Sequence, residues 1–257
     1  MPHYLPTDSL VSLRFTGIPN FARLPLARDL TGVDLVPGFI EPSYTAIERQ
    51  VRPIFDAGVV PILLGGDHSV TLAHLRAART HAPLAVVVSD SHTDAWDNFY
   101  GEKYTHGTWV RRAIEEGLLD SAHSILVNLR GSLYDAGDWD MLSDELGLAY
   151  IPAEECHDLG PEAVAQRVKE RIGDRRAFFS FDIDSVDPAY APGTGTFEAG
   201  GMTSVQALRF VRALAGIDFV GFDLVEVVPA DDPSQVTANP AANIAWEMLS
   251  ITALRAS

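Results

Sequence analysis

The sequence contains one cysteine, Cys156, among its 257 residues. A single thiol cannot close an intrachain disulfide, which excludes a disulfide-stabilised fold and favours a reducing, cytoplasmic location. The sequence also lacks any apolar run near the roughly 18 residues that a membrane-spanning helix needs. Its first residues show no basic stretch followed by an apolar core, so we expect no signal peptide.

Basic residues are scarce, because 19 Lys and Arg face 35 Asp and Glu and the formal net charge is −16. This balance disfavours nucleic acids and anionic membranes as partners, since both repel an acidic surface. It is compatible with a small cationic substrate or with bound metal ions. Hydrophobic residues make up 47% and charged residues 21%, a globular balance that argues against disorder.

The hydrophobic pattern alternates between strand and helix signals after an irregular beginning. Residues 1–42 contain several prolines and little periodicity, and we predict at most a short strand there. Short apolar runs predict strands at 59–64, 84–89, 123–129, 148–151, 176–181 and 218–225. Helical spacing predicts helices at 44–55, 69–80, 107–117, within 136–146, and at 161–172, 204–214 and 241–254. The alternation predicts a three-layer α/β/α fold with a mostly parallel central sheet, in one domain spanning residues 1–257.

Four of the predicted strands run into polar segments at their carboxyl ends. These segments are GGDH (65–68), DSHTD (90–94), DID (182–184) and Glu226. Open parallel sheets bind their ligands at the carboxyl ends of the strands, so we expect the four segments to meet there. The coincidence of four such ends is stronger evidence for a site than any one motif.

The spacing within these segments predicts a metal site. Alternate residues of an extended segment point the same way, so Asp90, His92 and Asp94 share one face. Asp182 and Asp184 share another. So many carboxylates at close range cannot all stay ionised unless cations oppose them, and two divalent cations would do so. Mixed carboxylate and imidazole ligands suit Mn²⁺, Fe²⁺, Ni²⁺, Co²⁺ or Zn²⁺ better than Ca²⁺ or Mg²⁺.

Each motif alone has a simpler interpretation. GGDHS, which holds a further candidate ligand in His68, is usually a strand-to-helix turn. DxHxD also occurs in surface loops, and DxD can be a helix cap or a sugar-nucleotide site. Trp96 is either a core residue or a pocket wall, and we favour the wall because it follows the ligand cluster. We predict that His74 is a surface or packing residue and that Asp187 fixes a turn.

Several motifs resemble, in family order, those of the ureohydrolases, which include arginase, agmatinase and guanidinobutyrase. They are GGDHS, DSHTD, YTHGT (104–108), SFDIDSVDPAYAPGTGT (180–196) and VEV (225–227). DSHTDAWDNFYGEKYTHGT and NLRGS (128–132) are similar to the agmatinase and guanidinobutyrase branch. Trp96 stands where arginases carry an asparagine that helps to hold the substrate carboxylate.

The resemblance implies an arginase-like fold, a homo-oligomer (trimer or hexamer) and two Mn²⁺ ions, with Ni²⁺ or Co²⁺ as alternatives. It implies that the first ion is bound by His68, Asp90, Asp94 and Asp182, and the second by Asp90, His92, Asp182 and Asp184. Asp90 and Asp182 would then bridge the two ions, and Asp90 would count among the catalytic residues.

The resemblance also implies roles for residues that bind no metal. His106 matches the histidine that moves a proton, and Glu226 matches the carboxylate that pairs with guanidinium. Thr196 lies where the family has a threonine near the reacting nitrogens, and Trp96 would line the pocket. The implied reaction is hydrolysis of a small cationic guanidino compound, such as agmatine or guanidinobutyrate, to urea and an amine.

The sequence departs from the family in two places. Residues 17–36 look like the family's lead-in and residues 37–44 like sequence well downstream, so a strand-loop segment between them is missing. That segment normally supplies a sheet edge and part of the pocket wall. The second departure is Phe197 and Ala199, where the branch usually has proline at both positions.

Two other classes of protein remain as alternatives, namely a non-catalytic relative of the ureohydrolases and a metallohydrolase of another kind. The missing segment is compatible with a degenerate or partner-dependent paralogue that performs no catalysis. Histone-deacetylase-like enzymes share the fold type but use one zinc ion and fewer ligands, and the presence of both Asp94 and Asp184 favours a dinuclear site. Dinuclear phosphoesterases also use D-x-H, but they usually add an N-H-[ED] motif that this sequence lacks.

Overall fold

A parallel sheet forms the centre of the protein. The computed structural model describes residues 32–135 and 137–255, and within them the sheet has six strands. These are β1 (Ile62–Leu64), β2 (Ala85–Ser89), β3 (Ile125–Leu129), β4 (Ala149–Pro152), β5 (Arg176–Asp182) and β6 (Asp218–Val225). Their order is β1-β6-β5-β2-β3-β4, and every neighbouring pair is parallel. The prediction of a mostly parallel sheet is confirmed.

Helices cover both faces of this sheet. They are α1 (Ile40–Asp56), α2 (Val70–Ala77), α3 (Trp109–Glu115), α4 (Asp138–Asp140), α5 (Ala153–Leu159), α6 (Pro161–Ile172), α7 (Ser204–Ala213) and α8 (Ala238–Arg255). Alternate strand residues face opposite sides, so Val86 and Val88 pack beneath α1 to α3, whereas Val87 packs beneath α6 to α8. Two buried apolar layers result, and the three-layer α/β/α prediction is confirmed.

The strand register brings four strand ends to one level. Leu64 of β1 pairs with Leu224 of β6, Leu224 pairs with Phe181 of β5, and Phe181 pairs with Ser89 of β2. The polar segments that follow these four strands therefore leave the sheet side by side. This lateral order, which no strand prediction contains, is what assembles the site.

Several predicted boundaries were wrong. The structure begins α1 at Ile40, so residues 40–42 are helical rather than irregular, and residues 1–31 lie outside the described residues. The helix predicted at 107–117 divides into a 3-10 turn (His106–Thr108) and α3. The helix predicted within 136–146 widens into a π-helical turn (Met141–Glu145), and α5 was missed. No helix of the described part of the chain is long and apolar enough to cross a bilayer.

Candidate metal centre

A glycine turn after β1 positions His68. Gly65 and Gly66 have φ values of 90° and 84°, which favour glycine, and a Cβ on Gly66 would lie 2.6 Å from Cγ1 of Val70. The turn is tied to β6, because Gly65 N donates to Leu224 O at 2.9 Å. The imidazole of His68 is consequently buried, with 1% exposure, at the carboxyl edge of the sheet.

Backbone and indole donors hold the carboxylates that follow β2. Oδ1 of Asp90 accepts a hydrogen bond from the backbone N–H of His92 at 2.7 Å. Oδ2 of Asp94 accepts one from Nε1 of Trp109 at 3.1 Å. Asp94 itself has a left-handed backbone, with φ of 48°. Non-glycine residues adopt this region infrequently, and such strain concentrates at functional sites.

Backbone N–H groups also hold the carboxylates at the carboxyl end of β5. Oδ1 of Asp182 accepts from the backbone N–H of Asp184 at 2.8 Å, and Oδ1 of Asp184 accepts from that of Ser91 at 3.0 Å. Each carboxylate thus has one oxygen engaged by the backbone. Its second oxygen is left to face the neighbouring segments.

Two groups of ligand atoms converge where these segments meet. Nδ1 of His68 lies 2.9 Å from Oδ2 of Asp90, 3.0 Å from Oδ2 of Asp94 and 3.1 Å from Oδ2 of Asp182. In the second group, Nδ1 of His92 lies 2.9 Å from Oδ2 of Asp184 and 3.6 Å from Oδ1 of Asp90. Ligand atoms of His68, Asp90 and Asp94, and those of Asp90, His92 and Asp184, fall within 4.8 Å of one another. Asp90 belongs to both groups.

Three of the atoms at the centre of these groups have no hydrogen-bond partner. They are Nδ1 of His68 and the Oδ2 atoms of Asp90 and Asp184, and all three are buried. Buried polar atoms are otherwise almost always paired. Carboxylate and imidazole donors that converge without pairing fit divalent cations such as Mn²⁺.

The shifted pKa values within the cluster also favour bound cations. Burial, reinforced by the charge of Asp90, raises the pKa of the Asp94 carboxyl above its usual range. Burial and the charges of Asp184 and Asp90 raise the pKa of Asp182 further. Burial opposes a charge on His68, but its contacts with three carboxylates raise the pKa of its imidazole well above normal. The protein alone therefore places protons among these groups, and cations would replace them.

Glu226 lies beside the cluster at the end of β6. Its Oε1 accepts a hydrogen bond from the backbone N–H of His68 at 2.7 Å. Burial raises the pKa of Glu226 to about 7, although that hydrogen bond acts in the opposite direction. The residue has φ of 64°, so a strained backbone holds a half-buried carboxylate next to the candidate metal ligands.

His106 and Trp96 lie in one segment packed against the DSHTD residues. The backbone N–H of Trp96 donates to Gly107 O at 3.2 Å. The Trp96 ring stacks on Phe99 with centroids 5.6 Å apart, and the His106 ring contacts Phe99 edge-on at 5.1 Å. Trp96 and His92 also line one small crevice, together with Gly131 and Leu133.

The remaining predicted residues have different surroundings. Thr196 is exposed in the loop that follows Asp184, and nothing in the structure ties it to the ligand cluster. Asp187 accepts from the backbone N–H groups of Ala189, Gly200 and Gly201, so the prediction that it fixes a turn is confirmed. His74 is not on the surface, because it is buried and contacts Asp223.

Sequence reasoning missed two buried polar residues, Ser180 and Asp223, that lie behind His68. The signal was present in the strands themselves. Ser180 is a polar residue inside the apolar run FFSF, and Asp223 is a polar residue inside the apolar run FVGFDLV. A buried polar residue in such a place needs a partner, and the partner here is part of the site.

The fold and the cluster together define an α/β protein with carboxylates and imidazoles, at the carboxyl edge of its sheet, that could hold metal ions. The model of the arginase family matches residues 15–250. The chain belongs to the arginase family, and the resemblance inferred from its motifs is confirmed.

Two curated relatives and one solved structure give the scale of the similarity. The chain is 43% identical to a guanidinopropionase of Pseudomonas aeruginosa over 88% of its own length and 71% of the relative's. It is 40% identical to a mitochondrial agmatinase of Gallus gallus over 97% of its own length and 74% of that relative's. The structure of a hypothetical agmatinase from Burkholderia thailandensis has 36% identity and a TM-score of 0.76, covering 84% of this chain and 66% of that one. The chain thus spans about two thirds to three quarters of the length of these relatives.

Proposed function

We propose that this protein is a metal-dependent hydrolase that cleaves a guanidino compound to urea and an amine. The observation that carries this proposal is the pair of ligand groups sharing Asp90, with the half-buried carboxylate of Glu226 beside them. The names of the relatives support it, because guanidinopropionase and agmatinase act on guanidino compounds. The intact ligand set favours catalysis over a non-catalytic role.

The metal ligands in this proposal are the six residues of the two groups. His68, Asp90, Asp94 and Asp182 would hold one cation, and Asp90, His92, Asp182 and Asp184 the other. We propose Mn²⁺ for both, with Ni²⁺ or Co²⁺ as alternatives that the same donors accept. Bound there, two divalent cations supply Lewis-acid chemistry that makes water nucleophilic near neutral pH.

The other residues would bind the substrate and move a proton. The Glu226 carboxylate binds the guanidinium by charge-assisted hydrogen bonds and presents its carbon to the cluster. Water oxygen adds to that carbon, the bond to the substituted nitrogen breaks, and this nitrogen receives a proton. His106 is suited to deliver that proton, because histidine exchanges protons near neutral pH.

Thr196, in the exposed loop after Asp184, would lie near the reacting nitrogens of the substrate, and Trp96 would line the pocket around the rest of it. The substrate class is a small cationic guanidine such as agmatine, or a guanidino acid such as guanidinobutyrate. We also propose a homo-oligomer, a trimer or hexamer, on the strength of the family resemblance. A cytoplasmic location is proposed because the chain carries one cysteine.

The test combines metal content with product release. We would purify the protein with Mn²⁺, measure metal per chain, and assay urea release from a panel of guanidino compounds. Asp184→Ala should lose metal and urea release, whereas Asp120→Ala should keep both. Asp120 is a suitable control because it pairs with His123, away from the ligand groups.

The outcomes separate the candidate functions. Urea from one compound, lost in Asp184→Ala, identifies a ureohydrolase and its substrate. About two metal ions with no urea from any compound would support the non-catalytic paralogue instead. Full activity and metal content in Asp184→Ala would contradict the assignment of Asp184 as a metal ligand.

A further inference from the structure

A chain of hydrogen bonds continues behind His68, away from the ligand cluster. Nε2 of His68 lies 2.8 Å from Oγ of Ser180, on β5. Oγ of Ser180 in turn lies 2.5 Å from Oδ1 of Asp223, on β6. Ser180 and Asp223 are fully buried, at 0% exposure. The ring of His68 therefore faces the candidate metals with Nδ1 and a buried polar chain with Nε2.

This series of hydrogen bonds ends at Asp223, whose second carboxylate oxygen is held by residues of a helix. Oδ2 of Asp223 accepts a hydrogen bond from Oγ1 of Thr71 and one from Nδ1 of His74, both at 2.8 Å. Thr71 and His74 lie on α2, the helix that follows the turn carrying His68. Both are buried as well, at 0% and 5% exposure. The Asp223 carboxylate is therefore fixed by β5 on one side and α2 on the other.

The direction of these hydrogen bonds follows from chemistry alone. A carboxylate has no proton to donate, so Ser180 donates its hydroxyl proton to Asp223. The Ser180 oxygen is then free only to accept, and it accepts the Nε2–H of His68. An imidazole with its hydrogen on Nε2 has its lone pair on Nδ1, the atom that faces Asp90, Asp94 and Asp182.

We infer that Ser180 and Asp223 are positioning residues for the metal centre. They hold His68 in the tautomer whose Nδ1 can bind a cation, and they fix the orientation of its ring. Thr71 and His74 support this function by holding Asp223. Residues behind metal-binding histidines commonly fix tautomer and orientation in this way. The inference rests on the metal centre of the proposed function, but not on which guanidine is hydrolysed.

Asp223→Asn is the decisive change, since it alters proton direction with little change of shape. Thr71 and His74 both donate toward the position of Oδ2, so the amide oxygen will take that place. The amide NH₂ then faces Ser180 and donates to it. Ser180 thereby loses the acceptor of its own hydrogen, and the partner left to it in this series is Nε2 of His68, which favours the tautomer with the imidazole hydrogen on Nδ1. That nitrogen can then no longer bind a cation.

The measurement is the Mn²⁺ affinity of metal-free protein, by calorimetric titration or competition with a chelator. In Asp223→Asn we expect one of the two Mn²⁺ affinities to fall about 10- to 100-fold, the usual effect of such residues. Urea release should fall at limiting Mn²⁺ and recover when Mn²⁺ is raised. A residue that only stabilised the fold would show no such recovery.

Ser180 gives a second, independent test. Ser180→Ala interrupts the hydrogen bonds between His68 and Asp223 and should weaken the same Mn²⁺ affinity. Ser180→Thr keeps the hydroxyl and should have an affinity close to that of the wild type. Ser124→Ala and Asp120→Asn are matched controls. Ser124 is also buried, but its hydroxyl donates to Asp120 O, and Asp120 pairs with His123 instead of a candidate ligand. Both controls should keep wild-type affinity.

Nitrogen NMR of protein loaded with Zn²⁺, which is diamagnetic, should show His68 with its hydrogen on Nε2. Folded Asp223→Asn and Ser180→Ala proteins with wild-type Mn²⁺ affinity, or a wild-type His68 with its hydrogen on Nδ1, would overturn the inference. Wild-type protein that binds Mn²⁺ but releases no urea would overturn the proposed function and leave this inference standing. Wild-type protein that binds no divalent cation would overturn both.

Discussion

Glu226 combines a half-buried carboxylate with a left-handed backbone, and its carboxylate accepts a hydrogen bond from the backbone N–H of His68. We predict that Glu226→Gln lowers kcat/KM for urea release about 10- to 100-fold, because a hydrogen bond to a charged group contributes about 1.5–3 kcal/mol. The amide keeps an oxygen for His68 N–H, so the fold and the metal content should stay unchanged. Steady-state kinetics and metal analysis of the same sample measure both.

Glu198→Gln is the matched control for that change. Glu198 also lies near the site, but it serves the structure with its backbone oxygen, which accepts from Arg130. Its variant should keep wild-type kcat/KM. If Glu226→Gln also kept it, the carboxylate would have no part in binding guanidinium.

Gly131 is required by close approach to His92 and not by its own φ. A Cβ at this position would lie 2.5 Å from Cδ2 of His92 and 2.9 Å from Ser91 O. We predict that Gly131→Ala displaces the His92 ring, reduces bound Mn²⁺ from about two ions toward one, and destabilises the fold by about 1–3 kcal/mol. Metal analysis and denaturant unfolding measure these effects.

Gly195→Ala provides the comparison, since a Cβ on Gly195 meets nothing within 4 Å. That variant should keep its metal and its stability. Two ions bound by Gly131→Ala with wild-type affinity would show that His92 does not need its observed position.

The sequence alone located six candidate ligands but not the residues behind them. The ligands lie at the carboxyl ends of parallel strands, and those ends share one edge of the sheet whatever the strand order, so the pattern could place the ligands on that edge. Ser180 and Asp223 lie inside strands, and their contact depends on β5 and β6 being neighbours. Lateral order comes from packing of the whole sheet, so pairs of this kind could not be predicted from local pattern.

At the scale of elements, Arg130 connects the end of β3 to the loop between β5 and α7. Its guanidinium donates to the backbone oxygens of Asp184, at 2.6 Å, and of Glu198, at 2.8 Å, and also to those of Asn128 and Ala199. Asp187 closes the same loop from within, through Gly200 and Gly201. This loop carries Thr196, which we propose contacts substrate.

We predict that Arg130→Met lowers the free energy of unfolding by about 1–3 kcal/mol, because the carbonyl of buried Asp184 loses its donor. Methionine keeps much of the apolar stem, so the loss reflects the guanidinium. The released loop should also raise KM more than it lowers kcat. Denaturant unfolding and steady-state kinetics test these two effects separately.

Arg209→Met is the control for Arg130→Met. Arg209 pairs with Glu162 on the surface, and exposed ion pairs contribute about 0–1 kcal/mol. We therefore expect a small loss of stability and unchanged KM. An equal loss in both variants would contradict the proposed function of Arg130 in holding the loop.

Helix prediction succeeded where local signals were complete. The predicted helix at 161–172 matches α6, which has Pro161 at its first position and glycines, Gly160 and Gly173, at both ends. The helix predicted within 136–146 became a short α-helix and a π-helical turn instead. Its residues bond to distant partners, as when Asp138 accepts from Nε1 of Trp96. Such tertiary contacts override a local helical pattern.

At the scale of the whole molecule, the ligand cluster is a concentrated part of a strongly acidic chain. Asp90, Asp94, Asp182 and Asp184 all lie buried at the carboxyl edge of the sheet, within a protein of formal net charge −16. Burial raises the pKa of Asp94 and Asp182, so cations that offset the crowded negative charge would favour the ionised form of both carboxyls. Cations bound in the cluster bind the folded state alone, since unfolding separates the three segments that supply the ligands.

We therefore predict that chelation of metal lowers the stability of the whole protein, and that Mn²⁺ restores it. At about 100 times its dissociation constant, a ligand that binds only the folded state adds about 2.7 kcal/mol per site. For a chain of this size, that corresponds to roughly 5–10 °C in Tm. Thermal unfolding across a series of Mn²⁺ concentrations measures the effect.

The controls separate binding at the cluster from general screening of negative charge. NaCl at matched ionic strength should give a small rise, because it screens exposed charges but cannot enter the buried ligand groups. Asp184→Ala should lose part of the rise that Mn²⁺ gives, since one group of ligands is incomplete. Because three separate strand ends supply the ligands, the Mn²⁺ effect should appear as one cooperative shift of the unfolding transition. A Tm that responds equally to NaCl and Mn²⁺, or equally in both proteins, would mean that the buried cluster does not bind the metal.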